Sequence, residues 1–223
     1  MTAQITISDL YSLEHTLAKP LLEQFTYPWE ALAHIGDFVR ALGKTLDTAV
    51  YEQLSPQVWV AKSASVAPTA TLKPPCIIGP DTEVRPGAFI RGNVLVGRGA
   101  VVGNSTELKN VILFDGVQVP HYNYVGDSIL GYRAHMGAGS ITSNVKSDKT
   151  LVVVKCPDGT VLETGRKKFG AMLGDRVEVG CNSVLNPGTV IGPDSNIYPL
   201  SPVRGVVPAK HIFKAPGNIV PKY

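Results

Sequence analysis

Charge is what this chain has least of. Lys, Arg, Asp and Glu make up 17% of its 223 residues, below the roughly 25% usual in globular domains. A net charge of +3 is too small to argue for nucleic acid, although a few contacts to a phosphorylated small molecule would fit it. Cysteine is also scarce: Cys76, Cys156 and Cys181 are an odd number without metal-type spacing. Free thiols in a reducing compartment are expected, with no metal. No apolar run approaches the roughly 18 residues of a membrane span. The opening "MTAQITISDLYSL" lacks the basic and apolar regions of a signal peptide. The expected location is cytoplasmic, with no membrane partner.

Turn formers are plentiful. The 22 glycines and 17 prolines, with 44% apolar residues, suit a turn-rich all-β chain better than a helix bundle. The apolar residues keep a beat of six: Val60, Val66, Leu72, Ile78, Val84, Ile90, Val96, Val102, Leu108 and Phe114. Two positions before each sits a mostly small residue, among them Ala64, Ala70, Cys76, Thr82, Ala88 and Ala100. Neither a 3.6-residue helix nor an alternating hairpin ladder holds that period. A hexapeptide repeat does, each unit being one short strand and a corner, with three units to a triangular coil. Coils then stack at about 4.8 Å through backbone hydrogen bonds.

The beat returns at Leu130, Met136 and Thr142, and again at Leu173, Val179, Leu185, Ile191 and Ile197. The intervals from Phe114 to Leu130 and from Thr142 to Leu173 are not multiples of six, so two breaks are expected. The first lies at "VPHYNYVGDSILG", where Pro120 takes the next beat position and cannot donate a ladder hydrogen bond. The second, within 146–170, reads as a hairpin around Pro157, Asp158 and Gly159 followed by the basic run Arg166, Lys167 and Lys168. That run is either a solvated loop or, beside Lys146 and Lys149, a phosphate contact. Residues 1–57 form a helical cap or linker, with helices over 9–24 and 28–46. Trp29, Leu32, Ile35, Val39 and Leu42 line one face that packs on the first coil; His15 and His34 are read as structural. Residues 58–201 form the coil, and 202–223 an extended tail that closes the last coil or reaches a neighbour.

At the first break His121 follows Pro120, with Tyr124, Asp127, Glu107 and Lys109 near it in sequence. An imidazole is suited to general-base work near neutral pH, and a structural histidine is the competing reading. The strings "GNSTELKN", "VPHYNYVGDSILG" and "HMGAGSITSN" add to this. They resemble the acetyltransferase domain of the bifunctional glucosamine-1-phosphate acetyltransferase/N-acetylglucosamine-1-phosphate uridyltransferases. The similarity is greatest to the archaeal sugar-1-phosphate nucleotidylyltransferase/acetyltransferase branch, to which "GRKKFGAMLGD" is also similar. It spans roughly residues 58 to 201.

The resemblance implies a left-handed parallel β-helix, a homotrimer with sites between subunits, and acetyl-CoA as cosubstrate. It implies N-acetylation of an amino-sugar 1-phosphate, glucosamine-1-phosphate by default. His121 matches the catalytic base, Asn144 a residue close to the amino-sugar, and Glu107 an acidic residue of the same pocket. Arg91, Lys109 and Tyr124 match positions that hold the sugar phosphate, and Lys149 another phosphate ligand. Gly137, Ala138 and Gly139 lie where the thioester arm is expected, and Cys181 and Pro199 near CoA-contacting positions. His135 stands where bacterial members commonly carry asparagine, which opens the acceptor to galactosamine-1-phosphate or another amino-sugar phosphate; a plain corner residue is the other reading. The 57 residues before the repeats are too few for a nucleotidyltransferase domain, so the acetyltransferase half alone is expected. The alternative is a non-catalytic, sugar-phosphate-binding or oligomerising β-helix that partners a separate nucleotidyltransferase. A γ-class carbonic anhydrase would need three zinc-binding histidines, and only His121 and His135 are expected inside the coil.

Overall fold

The corners are paced by a backbone conformation that few residue types enter cheaply. Asp81, Gly87, Asn93 and Gly99 all have positive φ, at 58°, 73°, 54° and 61°, and recur six residues apart. Gly, Asn and Asp tolerate that left-handed region best. In the computed structural model, which describes residues 5–223, three such units close one coil. The first four residues of the expected N-terminal segment lie outside the described residues. Strands stack in parallel along the axis, so that Val58 pairs with Cys76 and Cys76 with Val94. The result is a parallel β-helix of about nine turns.

The period fails at a different place from the one expected. Leu113, not Phe114, pairs with Val96 below and Leu130 above, and Val119, not Pro120, pairs with Val102. The left-handed residues run Ser105, Asn110, Gly116, Tyr122, Asp127, Arg133, with five-residue steps ending at Asn110 and at Asp127. Each of these corners is one residue short. A shortened corner is too tight to interrupt the ladder, so neighbouring faces fuse into the long strands Glu107–Leu113 and Tyr124–Leu130. Phe114 fills a corner slot held by Gly97 in the coil below, and its buried ring meets Tyr11 at 5.1 Å. The third corner of this column carries the insertion. Phe169 N–H closes its neck on the Asn144 carbonyl, and Val152–Lys155 pairs antiparallel with Val161–Arg166 beyond it.

One face of the prism is apolar inside and out. Its outward row, Trp59, Ile77, Leu95, Ile112, Ile129, Met172 and Val190, is buried, as strands covered on both sides require. The N-terminal segment supplies much of that cover. It was expected to cap the first coil, but it runs along the side of several. Ile35–Gly43 packs on Cys76–Ile78, Val94–Val96 and Glu107–Leu113, and Trp29 stacks on Phe169 at 5.7 Å. Further along, Tyr11 donates to the Ile129 carbonyl and Ser12 N–H to Asp175. The segment is mostly single turns, Ile7–Leu10, Leu13–His15, Lys19–Leu22 and Pro28–Ala33, and only Ile35–Gly43 exceeds two turns. The end of the first coil is covered instead by Tyr51–Ser55, antiparallel to Val58–Ala61.

At the other end the coil continues past residue 201. Pro202–Val203, Val206–Val207 and His211–Ala215 stack as further parallel rungs before Asn218–Pro221 folds back antiparallel. His211 is therefore a third histidine of the coil, against the expectation of two. Its Nδ1 lies 2.7 Å from the Ala209 carbonyl. Among the described residues no group of three or more His, Cys, Asp or Glu side chains is placed to hold a metal ion. No helix among them is long and apolar enough to cross a membrane.

Candidate active site

His121 ends the strand Gln118–His121 and stands exposed at a corner. Two bonds fix its backbone: its N–H donates to Asn123 Oδ1 at 3.1 Å, and its carbonyl accepts from Gly139 N–H at 3.0 Å. Asn123 occupies the slot beside an inward aliphatic residue that Ser and Thr fill in other coils. It is 2% exposed, and its Nδ2 donates to the carbonyls of Gly137 (2.9 Å) and Ser140 (3.0 Å). A buried amide thus ties the corner of His121 to the corner above.

That upper corner is Gly137, Ala138 and Gly139. Backbone bonds link Gly139 to His121, Asn182 to Ala138 and Leu200 to Cys181, so His121, Ala138, Cys181 and Pro199 form one column at equivalent corner positions. Gly137 N–H is used on Val179 and Gly139 N–H on His121. The Ala138 N–H, in a half-exposed turn, forms no intrachain bond among the described residues. Tyr122, Tyr198 and Leu200 stand exposed around this ledge of small residues, at 63%, 45% and 76%. A side chain at 137 would strike Cys181 backbone (2.8 Å), and one at 139 the Asn182 amide (2.2 Å), so the ledge stays low only with glycine.

The face that starts at His121 carries a polar cluster at its other edge. Glu107 and Tyr124 are register partners one coil apart. Glu107 is ion-paired with Arg91, which holds the guanidinium above its ordinary pKa. Lys73, Arg91 and Lys109 follow inward residues in successive coils and make a column of cations. The Phe89 ring lies 5.5 Å from Lys73 Nζ and 5.9 Å from Arg91 Cζ. Lys109 is held below the usual lysine range, first by burial and then by the neighbouring Lys168, against the pull of Asp127. Burial, reinforced by Asp127 and Glu107, pushes the Tyr124 hydroxyl up, which keeps it a proton donor. Asn144 Nδ2 donates to that hydroxyl (3.2 Å) and to Asp127 Oδ2 (2.6 Å).

Arg91, Glu107, Lys109, Tyr124 and Asn144 are therefore gathered on one patch. From His121 to Tyr124 is three residues, at most about 10 Å of extended chain. Of the other expected members, Lys149 sits in an exposed turn with φ of 61°. His135 faces outward from another side of the prism, in register with Gln118 and Glu178. Its Nδ1 is 2.7 Å from Glu178 Oε2. There it lines a cleft of about 680 Å³ with His15, Arg98, Tyr132 and Arg133. Sequence reasoning missed Asn110 and Asn123, which could have been suspected as amides in slots that the repeat gives to small or corner residues; of the basic run, Lys168 is the member that stands beside Lys109.

The profile of the GMPPB C-terminal domain family matches residues 72–198. A bifunctional sugar-1-phosphate nucleotidylyltransferase/acetyltransferase of Sulfurisphaera tokodaii is 35% identical over 113 residues, 51% of this chain and 28% of that protein. A bifunctional protein GlmU of Methanococcus maripaludis is 40% identical over 96 residues, 43% of this chain and 23% of that protein. The chain thus spans about a quarter of the length of these relatives. Among solved structures, a hexapeptide transferase family protein from Anaplasma phagocytophilum aligns with a TM-score of 0.42 at 16% identity, over 74% of this chain and 80% of that one.

Proposed function

We propose that this chain, which belongs to the GMPPB C-terminal domain family, is an acetyl-CoA-dependent N-acetyltransferase acting on an amino-sugar 1-phosphate, with glucosamine-1-phosphate the default acceptor. The observation that carries this reading is the patch of Arg91, Lys109 and Tyr124 beside Asn144, on the face that begins at His121. A sugar phosphate needs two or three cationic or hydroxyl donors for its oxygens. The amine, on the carbon next to the one that carries the phosphate, needs a base within reach.

His121 takes the proton that the attacking nitrogen must lose, so that its lone pair is free for the acyl carbon. Positioned general-base catalysis of this kind contributes about 10²–10⁴-fold. The small-residue ledge above His121 suits a slender acyl-carrying arm, and its flanking Tyr122, Tyr198 and Leu200 suit the arm's apolar length. Acetyl-CoA would supply an acyl group already activated as a thioester. The free Ala138 N–H is a fixed donor for an oxygen that gains negative charge. Cys181 and Pro199, higher in the same column, would contact the rest of the cosubstrate. The name of the Sulfurisphaera tokodaii relative pairs nucleotidylyltransferase with acetyltransferase, which suits an enzyme of nucleotide-sugar synthesis whose product passes to a nucleotidyltransferase; a homotrimer in the cytoplasm is part of the same proposal.

The test is release of CoA from acetyl-CoA in the presence of glucosamine-1-phosphate, galactosamine-1-phosphate and other amino-sugar phosphates. Turnover with at least one acceptor, reduced about 10²-fold or more in His121→Ala, is expected. No CoA release with any acceptor, or an undiminished rate in the variant, overturns the proposal.

A further inference from the structure

Asp127 is nearly buried, at 4% exposure, yet among the described residues no ion pair reaches it. It sits at the second short corner with φ of 47°, directly above Asn110 at the first, with φ of 57°. Its two carboxylate oxygens serve two amides. Oδ1 accepts from Asn110 Nδ2 at 2.9 Å, and Oδ2 from Asn144 Nδ2 at 2.6 Å. Asn110 Nδ2 also donates to the Leu32 carbonyl at 3.0 Å, in the N-terminal segment. Asn144 Nδ2 also donates to the Tyr124 hydroxyl at 3.2 Å. The chain of bonds runs from Leu32 through Asn110, Asp127 and Asn144 to Tyr124.

The chemistry of these groups leaves little freedom. A carboxylate only accepts and an amide nitrogen only donates. Asp127 thus forces both amides to turn their Nδ2 toward it. Both hydrogens of Asn144 Nδ2 are then used, one on Asp127 and one on Tyr124, and only its Oδ1 is left for a ligand. Tyr124, accepting from Asn144, must direct its own proton elsewhere. We infer that Asp127, backed by Asn110 and the Leu32 carbonyl of the N-terminal segment, is a positioning residue. It sets Asn144 to present an acceptor, and Tyr124 a donor, to the amino-sugar phosphate. The inference rests on the proposed acetyltransferase reading for its ligand, and on the bond chain alone for its geometry. The amide oxygen suits an N–H or O–H of the sugar, while the hydroxyl joins Lys109 and Arg91 at the phosphate. The N-terminal segment is then part of the acceptor site and not only cover for an apolar face.

The full-length chain tests this through Asp127→Asn, Asn110→Asp and their combination. In Asp127→Asn the single remaining oxygen can serve only one of the two amides, and one N–H is forced against another. Losing a bond to a charged acceptor gives an expected drop in acceptor kcat/KM of about ten- to a hundredfold, through a raised acceptor KM with the acetyl-CoA KM unchanged. The double variant restores the order of donors and acceptors between 110, 127 and 144. It should recover most of that loss, although the Leu32 carbonyl loses its donor. An unchanged acceptor KM in Asp127→Asn, an equal rise in both KM values, or no recovery in the double variant overturns the inference. NMR of the Asn144 side-chain amide gives a readout independent of turnover. Its two protons should be shifted in Asp127→Asn and restored in the double variant; resonances unmoved by Asp127→Asn overturn the inference even in a protein that acetylates nothing. Absence of turnover in the wild type, with the NMR pattern as expected, instead removes the acetyltransferase reading and leaves the bond chain standing.

Discussion

Replacing Asn123 with alanine separates the pinning of His121 from the holding of phosphate. The Asn123 side chain makes four bonds from a slot that is 2% exposed: Oδ1 accepts from His121 N–H, and Nδ2 donates to the carbonyls of Gly137 and Ser140 and to Ser140 Oγ. The Gly137 carbonyl keeps two other donors, Ser140 N–H and Ser140 Oγ, so it is not orphaned. The losses that count are at His121 N–H and the Ser140 carbonyl. A buried group deprived of its partner costs about 1–3 kcal/mol, and water at the exposed corner offsets part of the His121 share. The sum is about 3 kcal/mol. For a chain of this size that lowers Tm by about 6–12 °C. Thermal melts followed by circular dichroism check the stability. CoA release, run far below the lowered Tm, checks the chemistry. There, kcat should fall about tenfold while acceptor KM changes less than about twofold, because none of the bonds that seat Arg91, Lys109, Tyr124 and Asn144 passes through Asn123. A Tm change below about 1 °C, or a loss that falls on acceptor KM and spares kcat, would refute the reasoning.

Three further outcomes are expected. A Cβ at Gly126 would lie 2.5 Å from Tyr124 Oη, so Gly126→Ala should displace the phenol and raise acceptor KM about tenfold, with melts showing only a modest loss of stability; unchanged acceptor KM counts against Tyr124 as a phosphate donor. The lowered pKa of Lys109 means its ammonium is lost on the alkaline side sooner than an ordinary lysine's, so acceptor KM should rise below pH about 10.4, and Lys109→Arg should remove that rise in a pH series. Tyr11 is pushed well above the ordinary tyrosine value by burial and then by Asp175. Its folded-state pKa is raised, so its contribution is fully present below pH about 10 and is lost as pH climbs beyond it. Urea titrations from pH 8 to 11 should show that decline, with Tyr11→Phe flatter than wild type.

The periodicity carried the architecture because inward aliphatic residues and corner residues are dictated by the coil itself. Val60, Ile78 and Val96 need no partner outside the repeat to declare their positions. The phase error at Phe114 arose because a large apolar residue at a corner looks like a beat. Only the burial of Phe114 under Tyr11, a contact more than 100 residues apart in sequence, explains its presence there. The left-handed positions were the better clock: Ser105, Asn110, Gly116, Tyr122 and Asp127 mark both short corners, and two of these five are the Asn and Asp such corners favour. The covering of one face was also written in the sequence. Triplets such as Val94–Val96 are apolar at all three positions, where a strand with one wet face alternates. What pattern could not supply was lateral distance. His135 and Tyr124 look like neighbours in a string, yet His135 stacks on the Gln118–His121 face while Tyr124 belongs to the next face of the prism.

A coil with one regular unit cannot build a site, because every corner repeats the last and every carbonyl is already paired with its neighbour above or below. Here two corners are each shortened by one residue and a third opens into the insertion, and all three belong to one column. The shortened corners bring Asn110 beneath Asp127, and the opened one leaves Asn144 free to reach both Asp127 and Tyr124. At the next column the coil keeps its length but gives up side chains, so that Gly137, Ala138 and Gly139 leave a ledge over His121. Acceptor recognition and base placement therefore depend on opposite edits, lost backbone at one edge of a face and lost side chains at the other. A glycine inserted between Asn110 and Val111 would restore the lower corner to the length of the coil beneath it. It should separate Asn110 from Asp127 while leaving the ladder on either side intact. Such a variant should keep the β-rich circular dichroism of the parent and lose acceptor affinity before it loses His121-dependent chemistry. Loss of both together would mean that the two edges are not independent.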